Sequence, residues 1–394
     1  MNKKKEIVPK FRFPKYVNSE QWISTELSSL LDYERPDLYI VESDNYKNEG
    51  IPVLTANKSF ILGYTDEKNN IYSRVPVIIF DDFTTEKKYV DFPFKVKSSA
   101  IKILKPKGNN VLKFVFELMN TINFEAKEHK RYYISTYQKL FVYVPKDVKE
   151  QQNIADCLSS TDDLIDAESR KLKALEKYKK GLMQKLFPAE GKTLPEWRFP
   201  EFQGCGEWKS KPIGKACKIF SGGTPDTSKR EFYGGTIPFI RSAEINKPST
   251  ELFITEDGLK NSSAKMVKKG DILIALYGAN SGEIALSEID GAINQAVLCL
   301  RHETSNAFVY HYFTYMKNRI ISKYIQGGQG NLSGQIIKSV NLYFPKGEEQ
   351  QKISDCLSEI DTMITEQSNK IEQLKAHKKG LMQGLFPSLE EADV

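Results

Sequence analysis

Two stretches of the chain carry apolar residues alternately four and three positions apart. In the first, Ile154, Leu158, Thr161, Ile165, Glu168, Leu172, Leu175, Lys179, Leu182 and Leu186 keep that rhythm. In the second, Ile353, Leu357, Ile360, Ile364, Gln367, Ile371, Leu374, Lys378, Leu381 and Leu385 fall at the equivalent places. This alternation is the seam of a two-helix coiled coil. Neither stretch contains an internal proline, and each stops at Leu-Phe-Pro, where Pro188 and Pro387 cannot continue a helix. At 1.5 Å per residue, about 33 residues predict a rod of roughly 50 Å. An amphipathic helix needs a mate for its stripe. The other stretch has matched length, so the two are expected to pair with each other, antiparallel.

The stretches are also one segment written twice. Residues 151–188 and 350–387 match at 21 of 38 positions without a gap, 199 positions apart. Such a repeat largely decides architecture. It reaches beyond the helices: Pro9-Lys-Phe-Arg-Phe-Pro14, followed by Trp22, matches Pro195-Glu-Trp-Arg-Phe-Pro200, followed by Trp208, at a shift of 186. Ile51-Pro52 and Ile237-Pro238 keep that shift, so 13 further residues enter the second half after Ile237-Pro238. Between these anchors the halves share little identity. Short apolar runs bounded by turn formers, 75–80 and 271–277, read as strands. Residues 112–119 and 308–325 read as short helices, and 221–226 and 326–332 as glycine-rich loops. The expected fold is α+β: two tandem β-rich α/β domains, 1–145 and 189–345, separated by two long helices, 146–188 and 346–394 with the tail, in a pseudo-twofold arrangement.

The seam is broken at the same two places in both copies, by Glu168 with Gln367 and by Lys179 with Lys378. Polar seam residues fix register and partner choice; equally, long side chains snorkel from the seam edge. Gly181 and Gly380 lie inside the helix tails, where glycine costs about 1 kcal/mol relative to alanine. Close approach of another backbone, a local bend, or tolerance near a fraying end each accounts for them.

Composition narrows the class. No run approaches 18 apolar residues, which argues against a membrane span. The N-terminal MNKKKEIVPK lacks a signal-like apolar segment, so a cytoplasmic location is expected. The five cysteines (157, 205, 217, 299 and 356) form no CxxC pair, and the four histidines are scattered. Buried apolar cysteines are expected rather than a zinc site. A net charge of +6 is compatible with DNA binding without arguing strongly for it.

Catalytic signatures are missing. There is no GxxxxGK[ST] phosphate loop and no Asn/Asp-Pro-Pro-Tyr/Phe stretch for gripping a flipped adenine. Phe220-Ser-Gly-Gly223 lacks the helix and acidic residue of a cofactor loop and reads as a turn, as does Pro225-Asp226. Two different domains on a paired-helix spacer, without catalysis, suit a ruler. DNA presents major-groove positions about 34 Å apart on one face.

The P-x-[FW]-R-F-P opening, the SGGTP turn at 221–225, Ile237-Pro-Phe-Ile-Arg241, the GGQGNLS loop, the E-Q-Q helix start and the KKGLMQ-x-LFP helix end together resemble the specificity subunit of Type I restriction-modification enzymes. The resemblance covers almost the whole chain, twice over. The first variable region departs from the pattern, with Tyr33-Glu-Arg-Pro36 where the second has SGGTP. The resemblance implies two target recognition domains, each reading one half of a bipartite double-stranded DNA site. It implies docking of two methyltransferase subunits on the helices, joined by two motor-nuclease restriction subunits. S-adenosylmethionine, ATP and magnesium belong to those partners, and no cofactor to this chain. Direct readout needs loop side chains able to reach base edges. The candidates are Asn57, Lys58, Thr84, Thr85, Lys97, Ser98, Arg131 and Tyr132 in the first domain. In the second they are Thr224, Arg241, Tyr277, Asn280, Ser281, Gln329 and Asn331, with Lys229 and Arg230 on phosphates. A self-contained two-domain nuclease and a coiled-coil adaptor between protein-binding domains are the alternatives.

Overall fold

The computed structural model describes residues 7–57, 59–278, 280–325 and 332–387. The chain forms two compact units. The first runs to Ser169 and takes in the segment from Lys370 onward; the second is Arg170–Asn369.

The first unit holds β1 (Ile23–Glu26), β2 (Leu31–Glu34), β3 (Ile51–Leu54), β4 (Ile61–Thr65), β5 (Val77–Asp81), β6 (Lys87–Val90), β7 (Lys95–Val96), β8 (Ile101–Pro106), α1 (Leu112–Thr121), β9 (Phe141–Val144) and the start of α2 (Val148–Leu186). One sheet has the order β2-β8-β5-β6 and another β4-β3-β7. β5 is buried along its whole length, as a continuous apolar run in a central strand requires. β3 and β7 are parallel, with Val53 opposite Lys95 and Leu54 opposite Val96. β1 and β9 form a separate antiparallel ribbon where the diverged region begins and ends. Trp22, Phe80, Phe114, Tyr137, Ile154 and Leu158 share a core with Leu385 and Phe386 from the chain's last helical turn.

The second unit holds β10 (Lys209–Pro212), α3 (Ile213–Ala216), β11 (Cys217–Ser221), β12 (Tyr233–Ile240), β13 (Phe253–Ile254), α4 (Glu256–Lys260), β14 (Lys265–Val267), β15 (Ile272–Ala275), β16 (Ile284–Leu286), β17 (Gly291–Ile293), β18 (Val297–His302), α5 (Asn306–Ile325), α6 (Gly334–Ser339), β19 (Asn341–Phe344) and the start of α7 (Gly347–Leu385). Its sheets are β11-β18-β15-β16 and β13-β12-β17-β14, and β10 pairs with β19 as a ribbon. β12 and β17 are parallel, Phe239 opposite Ala292 and Ile240 opposite Ile293. The diverged regions thus share one topology. The extra residues after Ile237-Pro238 supply α4 and the added edge strand β14; Thr255 caps α4 by accepting from the Gly258 amide at 3.1 Å.

The repeated motifs meet in space. Arg12 of the first P-x-x-R-F-P donates twice to Glu150 of E-Q-Q, both at 2.8 Å, and Trp22 Nε1 reaches the same carboxylate at 3.3 Å. Arg198 donates to Glu349 at 2.8 and 2.6 Å. Both pairs are buried. Each bidentate clamp fastens the strand entering a unit to the helix leaving it.

Within each unit, a segment of α2 lies antiparallel beside a segment of α7. In the first, Asp162 meets Lys378 and Glu168 meets Lys370, one number rising as the other falls. In the second, Lys179 meets Asp361, while Leu186 and Phe187 pack in one cluster with Ile353 and Leu357. Of the expected seam, Ile154, Leu158, Leu186, Ile353, Leu357, Ile360, Ile371 and Leu385 are buried. Ile165, Leu172, Leu175, Leu182, Ile364, Leu374 and Leu381 are half-buried. The seam lysines do not simply snorkel into water: each is held by an aspartate of the facing helix. Gln367 is buried. Among the described residues a Cβ on Gly181 or Gly380 would meet nothing within 4 Å, so no close approach between these residues explains the glycines.

The expectation of buried cysteines holds for Cys217 and Cys299, whose thiols burial pushes up to about 12. It fails for Cys205, which is exposed, and Cys157 and Cys356 are half-buried. Among the described residues no helix is long and apolar enough to cross a membrane, and no cluster of His, Cys, Asp and Glu is suited to a metal ion.

Candidate nucleic-acid interface

In open sheets, ligand-binding loops gather beyond the carboxyl ends of parallel strands. Each unit has such a parallel pair. In the first, β3 leads to Asn57 and β7 leads to Lys97 and Ser98. The turn after β5 joins them: Thr84 Oγ1 donates to Asn57 Oδ1 at 3.2 Å, and Asn57, Thr84 and Lys97 line one open cavity of about 610 Å³ with Thr55, Ser59 and Glu86. Lys97 is paired with Asp44, whose carboxyl it holds below the usual range, and lies over the Tyr46 ring.

Backbone bonds fix these loops. The Asp82 amide donates to Ala100 O and the Tyr132 amide to Asp82 O, both at 2.8 Å. Beneath them Asp82 forms a buried ion pair with Lys102 at 2.9 Å. Arg131 is exposed, over the Phe83 ring and 3.5 Å from Ser99 Oγ. Ser98 Oγ accepts from the Ala100 amide. Thr85 is buried at φ 60°, a strained setting for a β-branched residue. Tyr132 is buried with its hydroxyl on Glu128 O. The side chains of Thr85 and Tyr132 therefore brace the loops rather than face outward, contrary to their choice as DNA contacts. The sequence marks loop position but not which loop residues turn inward.

In the second unit β12 leads to Arg241 and β17 to Asn294 and Gln295. The SGGTP turn lies against this end. Gly222 donates to Asn294 O at 3.2 Å, and a Cβ there would stand 1.8 Å from Ile293 O. Gly223 is equally closed in by Ser263. Only glycine permits this approach. The turn delivers Thr224, whose hydroxyl donates to Gln295 Oε1 at 2.7 Å. The loop after β15 is tied on by the Leu276 amide to Ala296 O at 2.8 Å, the counterpart of the Asp82–Ala100 bond. It carries Tyr277, 43% exposed, and the half-buried Asn280 and Ser281, the latter donating to Leu276 O.

Arg241 is already engaged. It donates to Glu244 at 2.9 and 3.0 Å and to Glu251 at 2.6 Å. Burial pushes the Glu244 carboxyl up, but the Arg241 bonds and the amides of Glu251 and Arg241 outweigh it and hold it below the carboxylate range. Arg241 therefore shapes the 241–251 loop. Lys229 and Arg230 are exposed, Lys229 over the Phe232 ring. Lys58, Gln329 and Asn331 lie outside the described residues. Gln295, exposed beside Thr224, is not among the sequence candidates, because no repeat anchor survives near it. Its backbone register with the first unit is the signal that finds it.

A family model described as the Type I restriction modification DNA specificity domain matches residues 206–376. The chain is 31% identical over 367 residues to the EcoR124I/EcoR124II specificity subunit of Escherichia coli, covering 87% of each chain. It is 29% identical over 248 residues to the putative MjaX specificity subunit of Methanocaldococcus jannaschii, covering 60% of this chain and 56% of that one. Among solved structures, the S subunit of a Type I restriction-modification system from M. genitalium superposes with a TM-score of 0.69 at 17% identity, covering 97% of this chain and 100% of that one. A chain from a study of complex assembly and conformational transition of the type I R-M system gives 0.55 at 15% identity, covering 93% and 98%.

Proposed function

Because the chain belongs to the specificity subunits of Type I restriction-modification enzymes, we propose that each of its two units reads one half of a bipartite DNA target, and that α2 and α7 set the spacing between the halves. Such a subunit is the non-catalytic chooser of sequence within its complex. The functional division follows 1–145 and 189–345 as recognition domains, with 146–188 and 346–394 as spacer and docking surface. Two methyltransferase subunits dock on the helices and two restriction subunits complete the assembly in the cytoplasm. Those partners hold the S-adenosylmethionine, ATP and magnesium.

The observation that carries this reading is the shared end of the parallel strand pair. The same topology gathers polar loop side chains at the same place in both units, while the residues there differ. Asn57, Lys97, Ser98 and Arg131 stand in the first unit, and Thr224, Tyr277 and Asn280 in the second. A constant frame with variable tips suits two readers of different sequences. Lys229 and Arg230 are suited to phosphates.

The test is to map methylated adenines in a host genome with and without this chain, its methyltransferase partner being present throughout. A motif of two short half-sequences across a fixed gap, appearing only with the chain, is expected. An unchanged methylation map, or one uninterrupted motif, overturns the proposal.

A further inference from the structure

The register of the parallel strands aligns the two units residue by residue where sequence comparison does not. Leu54 opposite Val96 corresponds to Ile240 opposite Ile293. Just beyond β7 and β17, Lys97 corresponds with Asn294, and Ala100 with Ala296, so Gln295 takes the place of Ser98 and Ser99. Gln295 stands on the short link from β17 to β18, at the carboxyl end of the parallel pair.

That link is held rigid. Asn294 Oδ1 accepts from the Ala296 amide at 3.0 Å, Asn294 O accepts from Gly222 at 3.2 Å, and Ala296 O accepts from Leu276 at 2.8 Å. The Gln295 side chain is exposed. Its Oε1 is fixed by the Thr224 hydroxyl, while among the described residues its Nε2 donates to nothing. A carboxamide carries two N–H donors and two acceptor lone pairs, and with only one lone pair taken by Thr224 it retains both a donor and an acceptor for adenine, donating to N7 and accepting from N6–H. Thr224 removes much of the rotamer freedom such a side chain otherwise loses on binding.

We infer that Gln295, positioned by Thr224, reads an adenine in the half-site recognised by the second unit. The inference rests on the reading of that unit as a DNA reader. Ser98 and Ser99, which take its place in the first unit, are too short for the same bidentate contact, so the first unit reads its half-site without one at this position.

The experiment maps methylated motifs in cells carrying the methyltransferase partner with wild-type chain, Gln295→Ala, Gln295→Asn or Thr224→Val. In Gln295→Ala one A·T position of one half-site is expected to lose roughly ten- to hundred-fold of its discrimination, with the other half-site and the gap unchanged. Thr224→Val is expected to relax the same position less. If Gln295→Ala abolishes methylation altogether, Gln295→Asn decides: relaxation at one A·T position supports the inference, and undiminished stringency at every position overturns it. Undiminished stringency in Gln295→Ala overturns it directly. Absence of any bipartite motif with the wild-type chain instead overturns the proposed function itself.

Discussion

Lys378 reaches Asp162 at 2.6 Å, and its duplicate Lys179 reaches Asp361, the duplicate of that aspartate. The surroundings differ. Lys378 and Lys113 also neutralise Glu117, which is fully buried, at 3.4 and 3.0 Å. Asp162 and Asp361 are alike about one-third exposed, so the difference lies in the buried carboxylate that Lys378 serves and Lys179 does not. Removing a partner of a fully buried carboxylate is costly, and of a partly exposed one is much less so. Lys378→Met is therefore expected to lower stability by about 3 kcal/mol, and Lys179→Met by less than about 1 kcal/mol. Denaturant unfolding of the two variants checks this; equal losses contradict it.

The counterpart of Glu117 beside Asp361 is His311. Its Nε2 meets Ser358 Oγ at 3.2 Å and its Nδ1 lies 3.7 Å from Asp361. Burial, aided by the Lys179 charge, pushes the ring down to about 3, so it is neutral and makes no ion pair. The unfolded chain protonates this histidine near pH 6.5 and the folded chain does not until about pH 3. Protons thus favour the unfolded state throughout that window, and stability falls as pH falls through it, by up to about 1.4 kcal/mol per pH unit. The difference in melting temperature between wild type and His311→Gln should change between pH 6.5 and 4 and be constant above pH 7.

The Arg198–Glu349 clamp is buried and bidentate, with side chains 9% and 1% exposed. Arg198→Ala leaves a buried carboxylate unpaired and is expected to cost about 3–5 kcal/mol. Lysine cannot replace the fork, so Arg198→Lys should recover little. The exchange Arg198→Glu with Glu349→Arg should recover part of the loss, measured by unfolding free energy. No recovery would mean that the arginine acts through other contacts.

Gly181 and Gly380 face open space. Gly181→Ala and Gly380→Ala should each stabilise the isolated chain by roughly 1 kcal/mol, the helix-propensity difference. Titration with the methyltransferase subunit then tests why glycine stands there: weaker binding despite higher stability is expected if the partner's backbone approaches that face. Unchanged binding removes the glycines from the docking surface.

The helices were legible because a 3.6-residue period repeated over ten turns leaves a strong apolar pattern, and because Leu-Phe-Pro ends it. The clamp was half legible. Both motifs stand out as repeats, yet nothing in the sequence says that Arg12 meets Glu150 across 138 positions. The shared topology of the recognition regions was not legible. Strand pairing runs through backbone amides and carbonyls, which carry no side-chain identity, so register survives where residues diverge. Thr85 and Tyr132 were taken for surface contacts because loop composition does not tell an outward side chain from a brace. Arg241 was chosen as an arginine at a loop position, and nothing in the sequence showed that Glu244 and Glu251 of the same loop engage it.

The division of the chain has a consequence for how it is made. The second unit, Arg170–Asn369, is contiguous, whereas the first closes only when the segment from Lys370 is supplied. Leu385 and Phe386 complete its core, and the Phe11 amide bonds Gly384 O at 2.8 Å. The half whose synthesis begins first thus awaits residues made after the whole of the second half, which has all its own pieces earlier. A stop codon between positions 370 and 384 would spare the second half and leave the first one open.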